Sequence, residues 1–225
     1  MEPQHPPRRL WQRWIVANAW AEAVGLSIVA GVGFLVARRL GEPSGPAAAL
    51  GLAAVFVALG AIEGLVVGVA QSRVLRSALP QLTGWVSATV VGAMVSWALG
   101  MVPSTIMSSL PQQPAAAPPE LGTSLRLVFA AGLGALAGPL LAAFQWRRLR
   151  EVLPHAWWWL PANALAWACA MPVIFLAAHL AASESRPLAA VVELVLSFVL
   201  AGALVGAIHG RFLLWLLARR AQRAA

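Results

Sequence analysis

Apolar residues do not alternate with polar ones along this chain. They run in long blocks, and the blocks predict the elements. Six stretches, 14–37, 47–71, 85–107, 125–145, 157–181 and 188–217, are almost wholly apolar. Each is long enough to cross a hydrocarbon core of about 30 Å as a helix rising about 1.5 Å per residue. The sixth is too long for an upright span, so it is expected to tilt or to run past the membrane to Arg219 and Arg220. Between the third and fourth blocks, Pro111, Pro114, Pro118 and Pro119 predict an extended, irregular connection over 108–123. The expected fold class is an all-α integral membrane protein with six transmembrane helices, forming one transmembrane domain over 1–225.

The polar residues that flank the blocks predict an orientation. Arg8, Arg9 and Arg13 precede the first block. That block exceeds a signal-peptide core in length and no cleavage site follows, so it reads as an uncleaved anchor. With the N-terminus in the cytoplasm, twelve arginines fall inside, including Arg73, Arg147 and Arg211, and only Arg38, Arg39, Arg126 and Arg186 fall outside. This is the positive-inside pattern, and an even number of spans returns the C-terminus to the cytoplasm.

Composition agrees and narrows the chemistry. The chain is 60% hydrophobic and 11% charged, against about 25% charged in a soluble domain. Lipid is therefore its expected solvent. Lys and Asp are absent and all acids are Glu, which removes Schiff-base chemistry, Asp-based metal sites and phosphoryl-enzyme chemistry. Tyr is missing, and eleven Trp supply the interfacial aromatics. Cys169, the single cysteine, excludes an internal disulfide and a Cys-rich metal cluster, and is expected to be an inert buried thiol. The net charge of +8 gathers at block ends rather than in a basic patch with stacking aromatics, so no nucleic-acid partner is expected.

The blocks also repeat. Gly60-Ala61-x-x-Gly64, Gln71-x-Arg73-x-Leu75-Arg76, Leu79-Pro80 and Trp85-x-x-Ala88 recur 74 residues later as Gly134-Ala135-x-x-Gly138, Gln145-x-Arg147-x-Leu149-Arg150, Leu153-Pro154 and Trp159-x-x-Ala162. Eleven of the 29 positions from Gly60 to Ala88 match without a gap. A third copy, Gly202-x-x-x-Gly206-x-x-His209-x-Arg211-x-Leu213, carries His in place of Gln, and Trp14-x-x-Ala17-Asn18 in the first span supplies its partner. Three pseudo-repeated helix hairpins are the expected architecture. The pattern Gly-x-x-x-Gly, then Gln-Trp-x-x-Leu-Arg at 145–150, then a Pro and a Trp opening the next span, resembles a bacterial family of small multi-pass membrane proteins. Gln71-Ser72 and His209-Gly210 depart from that pattern. The resemblance implies the architecture and a bacterial cytoplasmic membrane, and it implies no activity.

Two sets of residues stand out against the apolar background. Gly60, Gly64 and Gly68, then Gly134 and Gly138, then Gly202 and Gly206, form small-residue stripes suited to close helix packing, with a lined channel as the sharper reading. The second set is polar. Asn18, Gln71, Gln145, Asn163 and His209, with Thr89, are expected near one level, and Glu22 and Glu63 somewhat deeper. An ionised Glu in a membrane costs several kcal/mol unless paired or hydrated. Arg73, Arg147 or Arg211 are the cations expected to reach it; a protonated Glu bonded to Asn18 or a backbone carbonyl is the other solution. These groups form either an interhelical clasp or a cytoplasm-facing site for an ion, proton or polar ligand. Glu193 is expected among the headgroups.

No catalytic or metal constellation accompanies them. HExxH, GxSxG, Walker and dinucleotide loops are missing, and Ser27, Ser87, Ser96 and Ser197 stand apart from any His and acid. His179 and His209 lie at different depths and do not share a haem; His209 alone is a candidate ligand for a pigment magnesium or a haem iron, with a hydrogen-bonding role as the plainer reading. Pro139 and Pro172 are expected to bend the fourth and fifth helices. The leading expectation is a non-catalytic accessory or scaffold subunit, packed against another membrane protein or its own copies. The alternative is a small transporter or channel with a cytoplasm-facing polar site.

Overall fold

A computed structural model of the chain describes residues 6–41, 45–109 and 122–224. Six helices follow one another: α1 (Pro6–Leu40), α2 (Pro46–Leu75), α3 (Trp85–Ser109), α4 (Thr123–Leu149), α5 (Trp159–Ser183) and α6 (Pro187–Ala224). A single 3-10 turn, Ala156–Trp158, leads into α5. All six helices are long and apolar enough to cross a membrane. The protein is therefore all-α and multi-pass, in contact with a lipid bilayer. Helix is the form such blocks must take, because in lipid each backbone N–H and C=O has to be satisfied within its own segment.

The helices overrun the apolar blocks. α1 begins at Pro6 and α6 reaches Ala224, beyond Arg219 and Arg220. Hydrophobicity ends before helicity does, because the flanking arginines are good helix formers. Gly or Pro marks several helix boundaries: α1 stops ahead of Gly41 (φ 68°), α2 begins at Pro46, α3 follows Gly84 (φ 69°), and α6 begins at Pro187. Pro103, Pro139 and Pro172 lie inside α3, α4 and α5, which continue through them. Of the connection expected over 108–123, residues 110–121, with its four prolines, lie outside the described residues.

Each helix packs on the next, and α6 packs back on α1, so the six close into a ring. Within the ring the helices form adjacent pairs: α2 with α3, α4 with α5, and α6 with α1. The third pair joins the two ends of the chain. The glycine stripes make these pairs, and the three copies do so equivalently. A Cβ on Gly64 would lie 3.1 Å from the carbonyl oxygen of Thr89, and one on Gly202 would lie 2.5 Å from that of Asn18. A Cβ on Gly138 would collide with the carbonyl oxygen of Asn163. Gly60, Gly68, Gly134 and Gly206 face the same partner helices. Close backbone approach is how apolar helices gain contact in a solvent as apolar as themselves.

One end of the ring carries the starts of α1 and the ends of α2, α4 and α6, and with them most of the arginines. It is filled by Trp14, Trp85 and Trp159 together with Leu75, Leu79, Leu149, Leu153 and Leu213, all buried. Here too the copies coincide, since the three tryptophans and Leu75, Leu149 and Leu213 are repeat positions. The outer surface is apolar, with Leu65, Phe129, Leu136 and Leu188 facing outward. Cys169 also faces outward, which corrects the expectation of a buried thiol.

Candidate functional site

Three tryptophans organise the polar residues. Trp85 and Trp159 open α3 and α5, and Trp14 stands eight residues into α1; each donates its indole N–H to the polar repeat residue of the paired even helix. Trp85 donates to Oε1 of Gln71 at 3.1 Å, Trp159 to Oε1 of Gln145 at 2.9 Å, and Trp14 to Nδ1 of His209 at 2.9 Å. The residue one turn further on bonds back to the tryptophan's carbonyl: Thr89 to Trp85, Asn163 to Trp159 and Asn18 to Trp14. The His that replaces Gln in the third copy thus accepts the same bond through a ring nitrogen.

The copies are then joined to one another. Gln71 donates to Oδ1 of Asn18 at 2.8 Å, and Gln145 donates to Oγ1 of Thr89 at 3.0 Å and to Oε1 of Gln71 at 3.3 Å. Hydrogen bonds therefore run from α6 through α1, α2, α3 and α4 to α5. The gap between α5 and α6 is bridged by the Trp159 and His209 rings, 5.1 Å apart. All these polar side chains are buried. Bonds of this kind in membranes contribute about 0.6 kcal/mol each on average. Asn18, Gln71, Gln145, Asn163 and His209 form one clasp across the ring, and their hydrogen-bonding capacity is largely spent within it.

The arginines take no part in it. Arg73, Arg147 and Arg211 are exposed at the arginine-rich end, with Arg211 lying over the Trp11 ring at 4.4 Å. Among the described residues no ion pair reaches Glu22 or Glu63. The expected neutralisation is therefore not made; each arginine keeps its guanidinium in solvent at the arginine-rich end. His209 is packed against the rings of Trp14 and Trp159, with its Nδ1 engaged, which leaves no open face beside it for a tetrapyrrole. At the opposite end, Arg126 lies 3.4 Å from Nδ1 of His179, tying α4 to α5. Glu193 is exposed.

Glu22 and Glu63 stand apart from the clasp. Glu22 lies one turn beyond Asn18, about 6 Å deeper, and Glu63 eight residues before Gln71, about 12 Å from it. Both are buried. Glu63 packs on Gly25, where a Cβ would come 2.9 Å from its Cγ, and the two carboxyl groups come within hydrogen-bonding reach of each other. Such a contact requires a proton on one of them. Trp97 donates its indole N–H to Oε2 of Glu63 and stacks on Phe56 at 5.9 Å. Oε2 of Glu22 has no hydrogen-bond partner although the residue is only 2% exposed.

Glu63 also borders a cavity of about 270 Å³. Five helices bound it, through residues that include Leu26, Ser96, Trp97, Gly100, Trp167 and Phe175. These follow Asn18, Thr89 and Asn163 along α1, α3 and α5, so the cavity lies beyond the clasp, away from the arginine-rich end. Its wall is apolar and aromatic apart from the Glu63 carboxyl and the Ser96 hydroxyl, and Ser96 already donates to the carbonyl of Ala137 at 3.1 Å. Trp97 is the neighbour of Glu63 that sequence reasoning missed. The signal was available: a tryptophan twelve residues into an apolar span is far from the interface and needs an acceptor for its N–H.

No protein-family model, curated protein or solved structure matches the chain. The resemblance drawn from the repeat is therefore one of pattern, and six long apolar helices define the class as multi-pass membrane protein.

Proposed function

We propose that this protein binds a small ligand inside its ring of helices and serves as a small transporter, with its arginine-rich end in the cytoplasm of a bacterial cell. The observation that carries the reading is the cavity bordered by Glu63, which combines interior space with a buried carboxyl pair in which Oε2 of Glu22 is unpartnered. Buried polar groups without partners are costly and tend to mark function. The excess of arginines at one end supports the orientation. The clasp and the tryptophan–leucine cluster close the cavity's arginine-rich side, so passage toward the cytoplasm requires the clasp to part.

An accessory subunit packed against another membrane protein has less support. Its glycine faces are consumed within the ring, and the apolar exterior is what lipid alone demands. Gly100 supplies the test. It borders the cavity, and a Cβ there meets nothing within 4 Å, so Gly100→Phe adds a ring at the cavity wall without a clash at its Cβ. Purified protein is heated with a panel of toluene-sized aromatic compounds of positive, zero and negative charge. A ligand at 100 times its Kd adds about 2.7 kcal/mol of stability, and that gain is expected in the unsubstituted protein and lost in Gly100→Phe. If no compound stabilises either form, and the protein leaves the membrane only with a stoichiometric partner, the accessory reading replaces this one.

A further inference from the structure

The wall of the cavity says which of those charges belongs there. Trp97, Trp167 and Phe175 present aromatic surface, Met101 and Met171 present thioethers, and Glu63 presents a carboxyl group. Among the described residues no arginine or histidine lines the space. Among the described residues no ion pair reaches either carboxyl. Aromatic faces attract cations through their ring quadrupoles, most strongly where water is excluded. Thioethers are polarisable and adapt to irregular apolar bodies. An anion would meet the Glu63 carboxyl group in a wall without a cation, where the Trp97 indole and the Ser96 hydroxyl are already engaged and the Trp167 indole is the remaining donor.

Resting on the reading of the cavity as a ligand site, we propose that its ligand is a lipophilic monocation, an ammonium or related centre carried on an apolar aromatic or aliphatic body, with Glu63 as its counter-charge and Glu22 behind it. Two carboxyl groups in contact hold a proton between them; a monovalent cation takes that proton's place charge for charge, and the displaced proton passes to water. The size fits: a benzyl or short alkyl ammonium lies within a space of about 270 Å³.

The test is a charge series on one shape. Benzyltrimethylammonium, its neutral carbon isostere neopentylbenzene, and phenylmethanesulfonate are titrated against the purified full chain in neutral detergent, with binding read by equilibrium dialysis and by the rise in melting temperature. The cation is expected to bind at least tenfold more tightly than the neutral isostere, and the sulfonate not at all. Glu63→Gln keeps an acceptor for Trp97 and is expected to erase the tenfold preference while retaining the neutral isostere. Should that variant fail to fold, the comparison of cation with isostere on the unsubstituted protein decides by itself. Equal binding of the two overturns the assignment of charge and leaves the cavity a ligand site. Binding of none of the three, with Gly100→Phe indistinguishable from the parent, overturns the ligand site as well.

Discussion

Gln145→Met asks how much of the ring's stability resides in the clasp. Methionine matches glutamine closely in length and volume, so packing is kept while the amide is lost. The amide makes three bonds: it donates to Gln71 at 3.3 Å and to Thr89 at 3.0 Å, and accepts from Trp159 at 2.9 Å. At about 0.6 kcal/mol apiece the loss is about 2 kcal/mol, with an upper bound of about 5 kcal/mol if each reached the largest values measured in membranes. The longest bond contributes least, and Gln71 keeps its bonds to Asn18 and Trp85. The orphaned indole of Trp159 pulls the other way, so we expect about 2–3 kcal/mol. Reversible unfolding in mixed micelles with rising dodecyl sulfate, followed by circular dichroism, measures it. Trp159→Phe removes one of the same bonds, so the double variant should be less unstable than the sum by about 0.6–1.7 kcal/mol. A Gln145→Met protein within about 0.5 kcal/mol of the parent, with strict additivity to Trp159→Phe, would refute the clasp as the ring's fastening.

Three further outcomes are expected. Gly138→Ala drives a Cβ into the Asn163 carbonyl and should destabilise by about 1–3 kcal/mol, whereas Gly132→Ala, with nothing within 4 Å, should be neutral or gain up to about 1 kcal/mol in helix propensity; equal melting of the two would contradict the packing. For orientation, in a Cys169→Ala background, Ser185→Cys should react with a membrane-impermeant maleimide on intact cells and Ser77→Cys only after permeabilisation, and the opposite pattern would invert the protein. At the α5–α6 turn, Arg186 beside Glu184 holds its carboxyl below the usual carboxylate range. The pair's contribution is therefore fully present above that range and lost as the pH falls through the lowered value. A titration of Glu184 by nuclear magnetic resonance checks this, and an unshifted midpoint would count against it.

The number of helices and their pairing were legible because both are written in contrasts that lipid preserves. Apolar blocks end at arginines, and Gly64, Gly138 and Gly202 recur at fixed distances from Gln71, Gln145 and His209. Thr89, Asn18 and Asn163 were equally legible as repeat positions. What the pattern hid was direction. On an apolar helix in lipid, inward and outward faces differ little in hydropathy, so Cys169 gave no sign that it faces outward. The fate of Glu63 was hidden for a different reason. Its reach toward an arginine was judged by depth alone, whereas α3 places the Trp97 indole beside it, and that donor requires no charge to be drawn into the membrane.

The pair formed by α6 and α1 has a consequence for the order of events during synthesis. α1 is made first and the helix that covers Gly202 and Gly206 against it is made last. At roughly 5–20 residues per second, the two are separated by roughly 10–30 s. Throughout that interval Asn18 and Glu22 stand in the bilayer without α6, while α2–α3 and α4–α5 can already close as local hairpins. The nascent chain is thus an open crescent that only its final segment seals. Joining the termini with a short tether and reopening the chain at the 108–123 connection would turn α6–α1 into a local hairpin. Such a circular permutant should reach the same ring, and should seal it without waiting for the last helix.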